Sequence, residues 1–245
     1  MTKWPYPFWI AHRGAGELAP ENTLAAFRLG ALHGYRAFEC DVKLSRDGVP
    51  FLLHDANLRR TTPRHESPAE LDWSELSQLD AGSWHSANNA GEPLPTLANI
   101  ATYCLHNDYA INLEIKPVPG HEKQTGHVVA QHALKLWAGK QLPPLISSFQ
   151  VEALEAARQA APSIPRALLL GALSHDGIQQ ALALACVAVV CNHKKLEDSA
   201  FALAKAANLR VLAYTVNEAA QIERLKALGI DGIITDAVDR FSPIS

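Results

Sequence analysis

The chain alternates between short apolar runs and longer helical segments, and this alternation limits the fold more than any other feature. The strand-like runs are residues 8–12, 37–44, 110–116, 144–149, 165–170, 187–192, 210–216 and 232–236. The helical segments are residues 22–33, 97–107, 121–137, 151–161, 174–185, 196–207 and 218–228. Strict βα alternation implies a parallel sheet with right-handed crossovers and strands buried on both faces. Eight such units in roughly 250 residues predict a TIM (β/α)8 barrel.

A doubly wound open sheet is the main alternative to the barrel. Such a fold normally carries a glycine-rich phosphate loop after its first strand. The segment His12-Arg13-Gly14-Ala15-Gly16 follows the first run but lacks the GxGxxG spacing. The barrel is therefore favoured, and we expect one domain over residues 1–245.

The connection between the second run and the helix at residue 97 is about fifty residues, much longer than usual. Residues 49–53 predict a hairpin strand after the turn Asp47-Gly48. Asp72 and Glu75 have the spacing of a capping box. We expect residues 55–95 to form a small insertion on the top face of the barrel. It would be either a lid that shapes substrate access or a structural elaboration, and the sequence does not separate the two.

Composition excludes several classes of function. The net charge of −3 and the absence of a Lys/Arg-rich run argue against a nucleic-acid or membrane-surface binder. The amino terminus lacks the pattern of a signal peptide, and no apolar stretch is long enough to span a bilayer. Cys40, Cys104, Cys186 and Cys191 have no CxxC spacing, which favours reduced, buried thiols. We therefore expect a cytoplasmic protein; homo-oligomerisation stays open.

Carboxylates occur within runs that otherwise predict buried strands. Glu39 and Asp41 share one strand face, whereas Cys40 between them points the other way. Apolar helices would reject two carboxylates, so both should face the barrel mouth, as should Glu114 and Lys116. Three carboxylates converging there suit a hard divalent cation such as Mg²⁺ or Ca²⁺. A buried network of salt bridges with Lys and Arg is the alternative.

Two histidines and two cations stand at the same strand ends. Imidazole titrates near neutrality, so His12 and His54 can act as a general acid and a general base. Arg13 and Lys116 provide cationic donors suited to phosphate oxygens, or neutralise the carboxylates, and the two roles are compatible. Burying so many ionisable groups is costly unless they share a metal or a charged ligand. The cluster therefore predicts a metal-assisted site for a phosphorylated substrate.

Weaker signals stand at the ends of later runs. Phe149 and Tyr214 could form an apolar wall for a small alcohol group or could simply pack at the rim. The segments Tyr214-Thr215-Val216-Asn217 and Thr235-Asp236 lie at the carboxyl ends of their strands, where barrel active sites are built.

The ordered set of motifs resembles the glycerophosphodiester phosphodiesterase family. The resemblance rests on His12-Arg13-Gly14, Pro20-Glu21-Asn22-Thr23, Glu39-Cys40-Asp41, His54-Asp55, Glu114-Ile115-Lys116, Tyr214-Thr215-Val216-Asn217 and Thr235-Asp236. It covers essentially the whole chain and is most similar to the cytosolic bacterial members linked to glycerol 3-phosphate uptake. It implies a TIM barrel with a segment inserted after the second strand. The implied reaction is hydrolysis of a glycerophosphodiester to sn-glycerol 3-phosphate and an alcohol such as choline, ethanolamine or glycerol.

The resemblance also implies a role for each motif residue. By position, the metal ligands would be Glu39, Asp41 and Glu114, the acid and base His12 and His54, the phosphate contacts Arg13 and Lys116, and the supporting residues Glu21 and Asn217. Apart from the resemblance, Phe149 and Tyr214 would contact the substrate if they form the apolar wall described above. The rival functions are a phosphodiester lyase of the secreted toxin type, disfavoured without a signal peptide or disulfides, and an inactive barrel that senses glycerophosphodiesters.

Overall fold

Eight parallel strands close into a barrel in the computed structural model, which describes residues 4–241 and 243. The barrel strands are β1 (Trp9–Ala11), β2 (Ala37–Leu44), β4 (Ala110–Ile115), β5 (Leu145–Ser148), β6 (Arg166–Leu170), β7 (Ala188–Asn192), β8 (Arg210–Tyr214) and β9 (Gly232–Thr235). Strand β1 pairs in parallel with both β9 and β2, and these two pairings close the ring. The predicted TIM barrel is confirmed, and the open sheet is excluded.

Helices follow the strands as the sequence pattern predicts. They are α1 (Leu24–Leu32), α2 (Trp73–Leu76), α3 (Leu97–His106), α4 (Glu122–Leu136), α5 (Val151–Ala160), α6 (His175–Ala183), α7 (Asp198–Ala206) and α8 (Ala219–Leu228). The predicted bounds of the eight barrel strands and of the seven long helices agree with the structure to within two residues. Side-chain caps define several starts: Thr23, Thr96 and Ser174 each accept a hydrogen bond from a backbone amide in the first turn of their helix.

Two apolar layers hold the barrel together. Residues on one face of the strands fill the lower interior, and every barrel strand contributes to this layer: Ile10, Ala37, Ala110, Leu145, Ala167, Leu169, Ala188, Val190, Leu212 and Ile234. Residues on the opposite face pack against the helices, and Cys40 and Ile115 belong to this larger outer core, as the strand alternation predicts. Each of the four cysteines is a buried free thiol, as expected.

The segment between β2 and α3 carries its own small core. It begins with β3 (Pro50–Leu52), which pairs antiparallel with β2 after a turn at Gly48, so the predicted hairpin is confirmed. The predicted capping box at the start of α2 is also present. Short 3₁₀ turns at Pro68–Glu70 and Ala87–Asn89 complete the segment. Its apolar residues form a cluster separate from the barrel core: Phe51, Leu53, Leu58, Leu71, Leu76, Ala81 and Leu94.

Within the described residues, every helix is too short or too polar to cross a lipid bilayer.

Candidate active site

Three carboxylates converge at the carboxyl ends of β2 and β4. The parallel register places Asp41 beside Glu114, and Glu39 lies two residues before Asp41 on the same strand face. One oxygen from each of the three lies within 4.8 Å of the others. Glu39 Oε1 is buried and has no hydrogen-bond partner among the described residues. A hard oxygen donor set with an unpartnered buried oxygen fits a divalent cation.

The electrostatic environment of the three carboxylates is uneven. Burial and the charge of Asp41 raise the pKa of Glu39 to about 8, and the same two causes raise the pKa of Glu114. Burial also opposes ionisation of Asp41, but the cations of Lys116 and Arg13 hold its pKa well below the usual range. The cations therefore favour ionisation of Asp41 most strongly, and Glu39 lacks a compensating charge of comparable strength.

Two cations contact the carboxylates directly. Lys116 Nζ lies 3.1 Å from Asp41 Oδ1 and 3.0 Å from Glu114 Oε1, while Arg13 Nε lies 3.3 Å from Asp41 Oδ2. Asn22 Nδ2 donates to Asp41 Oδ2 at 2.8 Å, and Asn22 Oδ1 accepts from the Asp41 backbone amide. The salt-bridge network considered from the sequence thus exists, and it engages Asp41 and Glu114 much more than Glu39.

His12 follows β1 and is held on one side by the carboxylate of the residue that follows β9. Its Nδ1 lies 2.5 Å from Asp236 Oδ1, and its Nε2 lies 3.8 Å from Glu39 Oε2. Burial alone would lower the pKa of His12, but the Asp236 hydrogen bond and the charge of Glu39 raise it above the usual value. Asn217 Nδ2 donates to the other oxygen of Asp236 at 2.9 Å. The ring orientation of His12 is therefore fixed through β9.

His54 follows β3, and a neighbouring carboxylate holds it in the same way. Its Nδ1 lies 2.8 Å from Asp55 Oδ1. Burial lowers the pKa of His54, and the attraction of Asp41 only partly offsets this effect. Each of the two histidines thus uses Nδ1 for a carboxylate, which leaves Nε2 as the nitrogen available for proton transfer.

A cavity of about 260 Å³ at the barrel mouth brings these groups together. Its lining includes His12, Arg13, Glu39, His54, Asn112, Glu114, Lys116, Phe149, Leu169, Tyr214, Thr215 and Ile234. The Phe149 and Tyr214 rings meet edge to face at 5.9 Å and form one wall. The Tyr214 hydroxyl donates to the Leu170 carbonyl at 3.0 Å, and burial raises the pKa of Tyr214 to about 12.

Three of the residues expected in the site stand behind the cavity lining. Asp41 is only 1% exposed and is covered by its cation partners. Glu21 accepts a hydrogen bond from Arg13 Nη1 at 2.9 Å, and Asn217 contacts Asp236. Both lie where a supporting residue would act: Glu21 is one contact from the cavity, through Arg13, and Asn217 is two contacts away, through Asp236 and His12.

The sequence assigned no role to four residues of the site: Asn22, Arg60, Asn112 and Asp236. Asn22 and Asp236 belong to motifs that were recognised, but the motifs gave no sign of the side chains that they contact. Asn112 precedes Glu114 by two residues, so strand alternation alone could have placed it on the inward face. Arg60 lies in the insertion, and no sequence pattern distinguishes it from other arginines in exposed loops.

Comparisons with known proteins identify the family of the chain. The sequence profile of the glycerophosphoryl diester phosphodiesterase family matches residues 12–240. The protein YhdW of Bacillus subtilis is 33% identical over 238 residues, which covers 94% of each chain. A glycerophosphodiester phosphodiesterase of Caldanaerobacter subterraneus is 29% identical and covers 93% of each chain. The solved structure of the Oleispira antarctica phosphodiesterase OLEI02445, in complex with its product sn-glycerol-3-phosphate, superposes with a TM-score of 0.89 at 32% identity. That alignment covers 96% of this chain and 95% of the other.

The profile match and the near full-length relatives confirm the family resemblance inferred from the motifs. The narrower likeness to cytosolic members linked to glycerol 3-phosphate uptake stays a prediction. The chain belongs to the glycerophosphoryl diester phosphodiesterase family, a family of phosphoric diester hydrolases.

Proposed function

We propose that this chain is a metal-dependent hydrolase of glycerophosphodiesters, such as glycerophosphocholine and glycerophosphoethanolamine, and releases sn-glycerol 3-phosphate and an alcohol. One observation carries the proposal. His12 and His54, which come from distant parts of the chain, open onto a single cavity with the carboxylate cluster and two cations. Binding of sn-glycerol-3-phosphate to the Oleispira antarctica relative supports the identity of the product.

Glu39, Asp41 and Glu114 are the proposed ligands of one divalent ion, Mg²⁺ or Ca²⁺. Their all-oxygen donor set suits both ions and disfavours softer metals. Bound there, the ion would offset the negative charge on the phosphoryl oxygens. Arg13 and Lys116 add fixed positive charge and hydrogen-bond donors at the same edge of the cavity. The two cations would therefore hold the phosphate group at the edge of the cavity that the two histidines also line.

The two histidines supply the proton transfers. One removes a proton from the attacking hydroxyl through Nε2, and the other gives a proton to the departing alkoxide. The attacking oxygen is that of water or of the glycerol 2-hydroxyl, and the second route passes through a cyclic phosphate. The wall formed by Phe149 and Tyr214 gives the alcohol group an apolar surface.

Turnover of glycerophosphocholine and glycerophosphoethanolamine by the purified protein tests this function. We expect release of sn-glycerol 3-phosphate that stops in EDTA and returns when Mg²⁺ or Ca²⁺ is added, because the carboxylate cluster needs a cation to act on the phosphate. Hydrolysis that continues in EDTA would contradict the proposed role of the divalent ion. Binding of the substrate without turnover would favour a sensor.

The histidines provide the matched variants for this experiment. His12→Ala and His54→Ala should each lower kcat by about 10²-fold or more while thermal unfolding stays close to that of the wild type. His106→Ala, on the exposed end of α3, is the control and should keep wild-type turnover. Near-normal kcat in both site variants would overturn the acid–base assignment.

A further inference from the structure

Arg60 lies in the insertion and joins the two carboxylates that hold His54 and Arg13. We propose that Arg60 is a positioning residue for the reaction, because one guanidinium group fixes both a proton-transfer residue and a phosphate-binding residue. This inference rests on the proposed function for its kinetic test, and a second test below does not depend on turnover.

The first half of the link runs through Asp55. Arg60 Nε donates to Asp55 Oδ2 at 2.7 Å, and Arg60 Nη2 donates to Asp55 Oδ1 at 3.1 Å. Asp55 Oδ1 is also the atom that lies 2.8 Å from Nδ1 of His54. The carboxylate therefore cannot rotate away from the imidazole without breaking a bidentate pair with Arg60.

The second half of the link runs through Glu21. Arg60 Nη1 and Nη2 donate to Glu21 Oε2 and Oε1, each at 2.7 Å. Glu21 Oε1 also accepts from Arg13 Nη1 at 2.9 Å. Glu21 therefore lies between two arginines, and Arg60 prevents it from closing fully onto Arg13 and drawing that side chain out of the cavity.

The surrounding insertion holds Arg60 in place. The Trp84 ring lies 5.6 Å from the Arg60 guanidinium carbon, and Trp84 Nε1 donates to the Ala81 carbonyl at 2.8 Å. The next residue, His85, has its Nε2 3.0 Å from the Glu17 carbonyl in the loop after β1. The insertion is thus attached to the loop that carries Arg13 and Glu21, and both ends of the link share one framework.

Only arginine can make this link. The guanidinium donates two hydrogen bonds to Asp55 and two to Glu21. Its planar arrangement of N–H groups allows both pairs to form at the same time. The ammonium of lysine is a point charge with three donors and cannot form two bidentate pairs. Arg60 therefore acts through the geometry of its hydrogen bonds as well as through its positive charge, and replacement by lysine separates the two contributions.

The kinetic experiment compares Arg60→Ala, Arg60→Lys and the matched control Arg59→Ala on glycerophosphocholine. Loss of a residue that orients a catalytic group typically costs about 10- to 100-fold in activity. We expect Arg60→Ala to lower kcat by that factor and Arg60→Lys to lie within about threefold of it. Among the described residues, the exposed side chain of Arg59 neither lines the cavity nor forms a hydrogen bond or ion pair with a site residue, so Arg59→Ala should keep kcat within about twofold of wild type. A fully active Arg60→Lys would show that charge alone suffices and would overturn the geometric role.

A double-mutant cycle separates positioning from a general loss of stability. If Arg60 acts through Asp55, the variant Asp55→Asn/Arg60→Ala should lose little more than the worse single variant, because both changes remove the same link. Losses in kcat that multiply would overturn the link through Asp55.

An NMR measurement tests the same claim without turnover. In the wild type, the proton between His54 Nδ1 and Asp55 should give a slowly exchanging imidazole signal, assigned by its absence in His54→Ala. We expect Arg60→Ala to lose or broaden this signal, and Arg59→Ala to keep it. An unchanged signal in Arg60→Ala overturns the proposal. If the wild type hydrolyses no glycerophosphodiester, the proposed function fails, while this measurement still decides the role of Arg60.

Discussion

Asp236 and Asn217 form a polar support beneath His12. Asn217 Oδ1 accepts from the Asp236 backbone amide at 2.9 Å and from the Thr235 hydroxyl at 3.1 Å, while its Nδ2 donates to the Asp236 carboxylate. Both polar atoms of the Asn217 side chain therefore bind Thr235 or Asp236, and Nδ2 orients the Asp236 carboxylate. The Asp236 carboxylate in turn favours the tautomer of His12 with the proton on Nδ1, which leaves Nε2 for the proposed proton transfer.

We expect Asp236→Asn to lower kcat by about 10²-fold or more, because the carboxamide can present an N–H to Nδ1 and favour the wrong tautomer. Steady-state kinetics on glycerophosphocholine measure this effect. KM should change by less than about threefold, since Asp236 does not line the cavity. Asp239→Asn, an exposed carboxylate three residues later, is the control and should behave as wild type. Equal kcat in the two variants would contradict the role of Asp236.

The convergence of the carboxylates and the two histidines at the barrel mouth could be predicted from the sequence, but the contact between Asp236 and His12 could not. His12 and Asp236 are separated by 224 residues in the chain and meet only because β1 pairs with β9. Nothing in the local sequence of either residue records that pairing. Glu39 and Asp41 were predictable because strand alternation and the rejection of charge by apolar helices are both local arguments.

At the level of elements, the register between strands determines which inward-facing side chains become neighbours. Alternation indicates that Glu114 faces inward, but only the pairing of β2 with β4 places it beside Asp41 and places Asn112 beside Glu39. A shift of this register by one residue would move Glu114 to the helix side. The sequence thus predicted which residues face the mouth, and it left their neighbours across the strands undetermined.

Helices α4 and α5 approach so closely that one contact admits only glycine. A Cβ atom on Gly126 would lie 2.1 Å from the Ala153 carbonyl oxygen, which belongs to the backbone of the facing helix. Gly126→Ala gains about 1 kcal/mol of helix propensity, but the helices must separate to accommodate it, and overpacking costs about 1–3 kcal/mol. We expect a net loss in the free energy of unfolding, measured by urea denaturation. Gly171→Ala, where a Cβ atom meets nothing within 4 Å, should leave stability unchanged. Equal stability of the two variants would show that α4 and α5 are not constrained at this contact.

The two ends of the barrel interior differ in composition: one is an apolar core and the other holds the polar groups of the candidate site. The lower interior is filled by aliphatic residues from every barrel strand, whereas the mouth holds buried carboxylates and their cation partners. Two cations do not match three carboxylates in one cluster, and burying an uncompensated charge is unfavourable. The mouth is therefore the part of the molecule where a bound cation would add most to stability.

Because a cation that binds only the folded barrel stabilises it by mass action, added metal should raise the melting temperature. At a metal concentration of about 100 times Kd the gain is about 2.7 kcal/mol. For a chain of this length, that corresponds to a shift of roughly 5–10 °C. Differential scanning calorimetry in EDTA and then in increasing Mg²⁺ or Ca²⁺, at constant ionic strength set with KCl, measures this shift. Glu114→Gln should lose most of the shift, because it removes one of three ligands while it keeps the shape of the side chain. A melting temperature that stays constant in the wild type would show that no ion stabilises the barrel, and an equal rise in Glu114→Gln would place the stabilising ion elsewhere. Either result would leave the carboxylates to Arg13 and Lys116 alone.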